Sequence, residues 1–86
     1  MTSDKIPAEL RQALEANPDR EFKVILHVTK TAPELERRLE QVGCHVRHKL
    51  TLMPCYAVTA PARTILALAQ EPWVTKVEPD QPVHAL

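Results

Sequence analysis

Glycine is nearly absent from this sequence, in which Gly43 stands alone against eight prolines. Its loops must therefore be stiffened by the fixed φ of proline rather than relaxed by glycine. A phosphate-binding loop, which needs several glycines so that the backbone can approach the phosphates, is excluded. Aromatic residues are also scarce, and three of them are too few for a platform on which nucleic-acid bases stack.

Neither sign of charge predominates, because 11 Lys and Arg oppose 11 Asp and Glu for a formal net charge of zero. The chain therefore has no bulk attraction to nucleic acid or to anionic lipid. Long apolar runs are missing as well, so no segment is expected to span a bilayer. We expect neither a nucleic-acid nor a membrane partner.

Cysteine is limited to Cys44 and Cys55, which can form at most one intramolecular bridge. A secreted domain of this size that depended on disulfides would carry about two to four. The N-terminus lacks the apolar core of a secretory signal. These features predict a reduced protein in the cytoplasm, although a bridge between the two cysteines across a hairpin is geometrically conceivable.

The 86 residues suffice for one small domain, and 44% hydrophobic with 26% charged residues is an ordinary globular balance. Apolar periodicity divides this domain into segments of period near 3.6 or period two. The predicted helices cover Pro7 to Ala16, Thr31 to Gly43 and Pro61 to Gln70. The predicted strands cover Phe22 to Val28, His45 to Leu52, Cys55 to Thr59 and Trp73 to Glu78.

Three local details accompany these segments. Thr31 and Glu34 have the spacing of a capping box at the start of the second helix, and Gly43 is the expected left-handed residue at its end. Strict alternation in the second strand places His45 and His48 on opposite faces. The same alternation groups Val46, His48, Leu50 and Leu52 on one side of this strand. The second helix, which precedes the strand, should bury Leu35, Leu39 and Val42.

After the leading helix the order βαββαβ predicts an α+β, ferredoxin-like domain. Two helices pack on one face of a four-stranded antiparallel sheet, and the other face is open. Prolines after the last strand forbid a helix and predict an extended tail that ends at Leu86.

Neither a metal centre nor a catalytic site is predicted. Cys44, His45, His48 and Cys55 lie close in sequence, but they lack a paired Cys-x-x-Cys and His45 and His48 are expected to diverge. Nucleophilic catalysis would need a serine or cysteine beside a base, and the only serine is Ser3, near the terminus. We therefore expect no cofactor, no metal and no enzymatic activity.

The last strand and the tail carry the most informative pattern. The stretch Val77-Glu78-Pro79-Asp80, followed by an extended segment ending at Leu86, resembles the propeptides of subtilisin-like serine proteases and their free-standing relatives, the inhibitor I9 family. The resemblance covers about Lys23 to Leu86 and includes Leu39-Glu40-Gln41-Val42-Gly43 and Glu71-Pro72-Trp73-Val74. Order and spacing make the match more specific than any one motif does.

The resemblance implies a protease inhibitor that binds a subtilisin-like serine protease through its sheet face. The tail residues Val83, His84, Ala85 and Leu86 would enter the substrate cleft as an added strand, with Leu86 in the primary specificity pocket. Glu78 and Asp80 would cap N-termini of protease helices. Such a protein could also act as a folding chaperone in trans.

The single domain 1–86 then divides into a leading helix and linker (1–20), a ferredoxin-like core (21–79) and an inhibitory tail (80–86), and is expected to be monomeric when free. Two alternatives stay open: an excised propeptide acting in cis, and a small regulatory or ligand-binding ferredoxin-like module. The ligand-binding alternative would use the open sheet face and not the tail. The role of the leading helix is unassigned beyond packing against the domain.

Overall fold

The computed structural model describes residues 5–80 and confirms the α+β class. After the first helix the strands and helices follow the predicted order. The elements are α1 (Ala8–Ala16), β1 (Glu21–Val28), α2 (Pro33–Gln41), β2 (His45–Leu50), β3 (Cys55–Pro61), α3 (Ala62–Leu68) and β4 (Val74–Pro79). None of these helices within residues 5–80 is long and apolar enough to cross a membrane.

The four strands form one antiparallel sheet in the order β2-β3-β1-β4, compatible with a ferredoxin-like fold. β1 lies in the interior and pairs with both β3 and β4. Val24 of β1, for example, is opposite Val58 on one side and Pro79 on the other. β2 and β4 are consequently the edge strands.

The core lies between one face of the sheet and the helices. Alternate residues of β1 and β3 enter it, because successive side chains of a strand point to opposite faces. Its largest fully buried members are Leu14, Val24, Leu26, Leu39, Tyr56, Val58, Ile65, Val74 and Val77. The helices thus cover one face only, as the sequence predicted.

The leading helix α1 belongs to this core. Leu14 is completely buried, and Leu10 and Ile6 are almost so. The segment before the helix also reaches the sheet edge, since the carbonyl of Lys5 accepts a 2.9 Å hydrogen bond from the N–H of Val77 in β4. The N-terminal residues described here therefore complete the folded domain.

The start of α2 differs from the predicted capping box. The N-cap residue is Ala32, Pro33 occupies the first turn, and no side chain caps the helix. Tyr56 of β3 contacts this N-cap residue: its hydroxyl accepts a 3.0 Å bond from the Ala32 N–H and lies 3.3 Å from acceptors on Ala32 and Glu36. The capping-box prediction for Thr31 was wrong, because the N-cap is the next residue, Ala32, which has no side-chain acceptor.

The end of α2 is partly as predicted. Gly43 has a φ of +91° and terminates the helix in the left-handed region. Leu39 is fully buried and Leu35 packs against the core from a half-buried position. Val42, however, is 45% exposed; it is the C-cap residue that follows Gln41, the last residue of the helix.

The hairpin between β2 and β3 exposes apolar side chains at its tip. β2 ends at Leu50, two residues earlier than predicted. Leu50, Leu52 and Met53 are all more than half exposed. The expectation that Leu50 and Leu52 continue the apolar side of β2 was therefore wrong.

Candidate binding face of the sheet

The sheet face turned away from the helices is called the open face below. Its side chains follow from the strand register, since they alternate with the core residues of each strand. The open face carries Lys23, Ile25 and His27 from β1, Cys55, Ala57 and Thr59 from β3, Lys76 and Glu78 from β4, and His45, His48 and Leu50 from β2.

A β-bulge in β2 changes which histidines share a face. Between Val46 and His48 the register shifts by one residue, so that His45 lies opposite Thr59 and His48 opposite Ala57. Because Thr59 and Ala57 are two residues apart on β3, both histidines lie on the open face. The prediction that they point to opposite faces was wrong, since strict alternation fails at a bulge.

Small side chains occupy the middle of the open face. Cys55 and Ala57 are only 3% and 8% exposed, yet they lie outside the main core cluster. Side chains of the two neighbouring strands therefore shield them. The result is a shallow strip along β3, bordered by longer side chains on β1 and β2.

Glu78 lies at the β4 side of this face between two basic groups. One carboxylate oxygen is 3.0 Å from Nε2 of His27, and the other accepts a 2.9 Å bond from Nζ of Lys76. The bond from Lys76, followed by that from His27, lowers the pKa of Glu78. The carboxylate is thus held ionised in a fixed orientation on a surface that remains partly exposed.

Asp80 follows β4 and is held at two points. Its N–H donates to the carbonyl of Lys23 over 3.0 Å. Its Oδ2 accepts a 2.7 Å bond from Nη2 of Arg47, on the far edge strand. Both predicted acids, Glu78 and Asp80, therefore lie close together at the end of β4 and each has a basic partner.

The predicted tail residues Val83, His84, Ala85 and Leu86 lie outside the described residues. The described residues end at Asp80, which precedes the tail. The structure thus describes the point from which the tail departs and the acids beside it.

The two thiols lie on different sides of the sheet, and both are free. Cys44 belongs to the core cluster beneath the end of α2, as predicted, and burial raises its pKa to about 12. Burial and the charge of Glu78 raise the pKa of Cys55. Within residues 5–80 no three His, Cys, Asp or Glu side chains are grouped so that they could hold a metal ion.

A separate groove of about 570 Å³ lies between α2 and α3, away from the open face. Its walls combine apolar side chains with charged ones, and Arg38 faces Glu71 across it at 3.6 Å. A small-molecule ligand would thus find its concave surface on the helix layer, whereas the open face suits a flat or convex partner.

Neither a protein-family model nor a curated protein matches this chain.

Sequence reasoning missed the basic partners of the two acids. His27 and Lys76 were detectable, since strand alternation and antiparallel pairing bring both beside Glu78. Arg47 was not, because its approach to Asp80 depends on the bulge and joins residues 33 positions apart.

Proposed function

We propose that this protein inhibits a subtilisin-like serine protease, binding it with the open face and inserting the C-terminal tail into the active-site cleft as a cleaved product would lie. The observation that carries the proposal is the position of the two acids. Glu78 and Asp80 lie on or beside the open face at the end of β4, immediately before the tail. The open face, the two acids and the start of the tail are therefore contiguous.

The open face supports a protein partner better than a buried ligand. Its middle is floored by the small side chains of Cys55 and Ala57, so a partner's helix can approach the sheet closely. Charged groups at its margins, such as Glu78 and Lys76, supply orientation.

The acids would serve as acceptors for the partner's helix N-termini. A carboxylate has about four lone-pair sites, so Glu78 and Asp80 can keep their internal bonds and still accept backbone N–H groups. Their side chains are 38% and 32% exposed, which leaves room for such bonds. Helix N-termini favour these negative charges.

The tail would supply specificity. Added as an antiparallel strand, it gains main-chain hydrogen bonds along the cleft, and its side chains occupy alternate pockets. Leu86 would fill the apolar primary pocket and Val83 a more distant one.

Four further expectations belong to this proposal. The protein has no enzymatic activity of its own and is monomeric in the cytoplasm when free. By binding a partly folded protease through the same face, it would also assist protease folding in trans. A folded core with Leu14 and Leu39 fully buried suits a lasting inhibitor, because the core is already ordered and its folding does not reduce the free energy of binding.

The test is inhibition of a subtilisin-type protease by the intact chain and by a chain lacking Val83 to Leu86, with a chymotrypsin-type protease for comparison. We expect the intact chain to inhibit the first enzyme alone. Removing the tail should raise the inhibition constant by about 100-fold or more, or ~2.7 kcal/mol. The deletion should leave the free energy of unfolding unchanged.

A second arm tests the acids. The double variant Glu78→Gln/Asp80→Asn should weaken inhibition by about tenfold or more, since bonds to charged acceptors contribute roughly 1.5–3 kcal/mol each. The matched control Glu9→Gln/Glu40→Gln changes the same charge on exposed positions of α1 and α2 and should leave inhibition as it is. Failure of the intact chain against subtilisin-type proteases would refute the proposal and favour a ligand-binding module.

A further inference from the structure

A single arginine connects the two edges of the sheet. Nη2 of Arg47, on β2, donates to Oδ2 of Asp80 over 2.7 Å and to the carbonyl of Val58 over 3.2 Å. In the sheet, β2 and β4 are separated by β3 and β1. The contact therefore joins the far edge strand to the residue that follows β4.

The β2 bulge makes this contact available. Val46 pairs with Val58 and His48 pairs with Ala57, so Arg47 is the extra residue without a partner in the ladder. A bulge bends its strand and redirects a side chain. At this position the redirected side chain is the one that reaches Asp80.

The contact is made at an energetic cost within the Arg47 side chain. Among the residues described, Nε of Arg47 is buried and has no hydrogen-bond acceptor. A buried donor without an acceptor is unfavourable. The arginine therefore keeps its bond to Asp80 while one of its own N–H groups goes unpaired.

Asp80 is the root of the tail. Its backbone is fixed by the bond from its N–H to the Lys23 carbonyl, and its side chain is fixed by Arg47. The residues proposed to enter the cleft begin with Val83, three positions after Asp80, which is at most about 10 Å along an extended chain. The position of Asp80 thus limits where these residues can be placed.

We infer that Arg47 is a positioning residue for inhibition: by holding Asp80, it fixes the point and direction from which the tail leaves the sheet. The inference rests on the proposed inhibitory function. A tail with a fixed root loses less freedom when it enters a cleft, and binding is strengthened accordingly. Arg47 itself need not touch the protease.

The first experiment needs no protease. Amide hydrogen exchange at Asp80 is measured by NMR in the wild type, in Arg47→Ala and in Arg47→Lys. We expect exchange at least about tenfold faster in Arg47→Ala, because Asp80 loses its side-chain anchor and its N–H bond to Lys23 opens more readily. Arg37→Ala, which removes the same charge from an exposed position on α2, should exchange like the wild type.

The second experiment measures inhibition of a subtilisin-type protease by the same variants. Arg47→Ala should weaken inhibition about tenfold, and Arg47→Lys should recover part of the loss because it retains the charge but not the fork of donors. In an Asp80→Asn background, Arg47→Ala should cost much less than it does alone. A merely structural role would instead add to the effect of Asp80→Asn and would track the free energy of unfolding.

The outcomes separate the two proposals. Unchanged exchange at Asp80 in Arg47→Ala, or inhibition equal to that of the wild type, would overturn the role of Arg47. If Arg47→Ala does not fold, Arg47→Lys and Asp80→Asn carry the same test through exchange and coupling. A wild-type chain that inhibits no subtilisin-type protease would refute the proposed function, while the exchange result would still decide whether Arg47 anchors the tail root.

Discussion

At the scale of single residues, Tyr56 joins the sheet to the helix layer. Its ring is completely buried, and its hydroxyl meets the first residues of α2 instead of solvent. Burial raises the pKa of this phenol, so it stays protonated and can both donate and accept at neutral pH. One side chain thus hydrogen-bonds the backbone of Ala32, the N-cap residue of a helix that has no side-chain cap.

We expect Tyr56→Phe to lower the free energy of unfolding by about 1–3 kcal/mol, because the Ala32 N–H loses its buried acceptor. Urea unfolding measures the change. Thr31→Ala is the matched control: it removes the hydroxyl of the predicted capping box, which makes no cap bond, and should change stability by less than about 0.5 kcal/mol. Equal losses in the two variants would contradict a stabilising role for the hydrogen bond between Ala32 and Tyr56.

Glu78 gives a pH dependence at the same scale. Hydrogen bonds from Lys76 and His27 lower its pKa below the ordinary 4.5. A carboxyl whose pKa is lower in the folded state stabilises the fold above its unfolded pKa, and this contribution is lost as the pH falls through the folded value. The stabilisation by Glu78 is therefore present at neutral pH and lost in acid.

The free energy of unfolding should accordingly be higher in the wild type than in Glu78→Gln above pH 4.5, and the difference should shrink as the pH falls below it. Urea titrations at about pH 6 and pH 3 measure this. Since the side chain is 38% exposed, the difference is small and salt reduces it further. In a Lys76→Ala background the difference should be smaller still; a pH-independent difference would argue against these bonds as its cause.

At the scale of elements, both the end of α2 and the path of β2 depend on single backbone features. Gly43 reverses the chain after α2 with a φ of +91°, and a Cβ built there would meet no atom within 4 Å. A lack of steric room is therefore not the reason for glycine at this position. Glycine is required because the backbone adopts the left-handed conformation, which is costly for other residues.

Gly43→Ala should therefore lower the free energy of unfolding by roughly 1–2 kcal/mol through backbone strain alone. Gly43→Asn should cost less, because asparagine tolerates the left-handed region better. Both values come from urea or thermal unfolding. If asparagine proved as costly as alanine, the backbone explanation would fail.

At the scale of the whole molecule, α1 turns a two-helix layer into a three-helix layer. Leu14 is fully buried in the same cluster as Val24 and Ile65. The helix therefore stabilises the domain on the side opposite the open face. Stability and the proposed binding surface are thus carried by different faces of the sheet.

We expect Leu14→Ala to destabilise the domain by about 2–5 kcal/mol, the usual cost of a cavity in a packed core. Ala13 lies one position earlier in α1 and is half-buried. Ala13→Gly should lower the free energy of unfolding by only about 1 kcal/mol, through the lower helix propensity of glycine. Inhibition by the folded fraction of Leu14→Ala should match the wild type. A change in inhibition without a change in stability would place α1 in the binding surface instead.

Local sequence patterns suffice to predict the element order, the ferredoxin-like class and most of the core. Leu26, Val58 and Leu39 follow from period two or 3.6, because a strand or helix exposes one face to the core wherever it lies. These patterns also place Glu78 and Asp80 at the end of the last strand, and Gly43 at the end of α2.

Features that depend on residues distant in sequence emerge only in the packed fold. The hydrogen-bond partner of Ala32 at the start of α2 is Tyr56, 24 positions away, and the partner of Asp80 is Arg47, 33 positions away. The bulge that brings His48 to the open face arises from pairing with β3. Local periodicity does not predict these contacts, because hydrogen bonds between strands and between layers depend on how the whole chain packs.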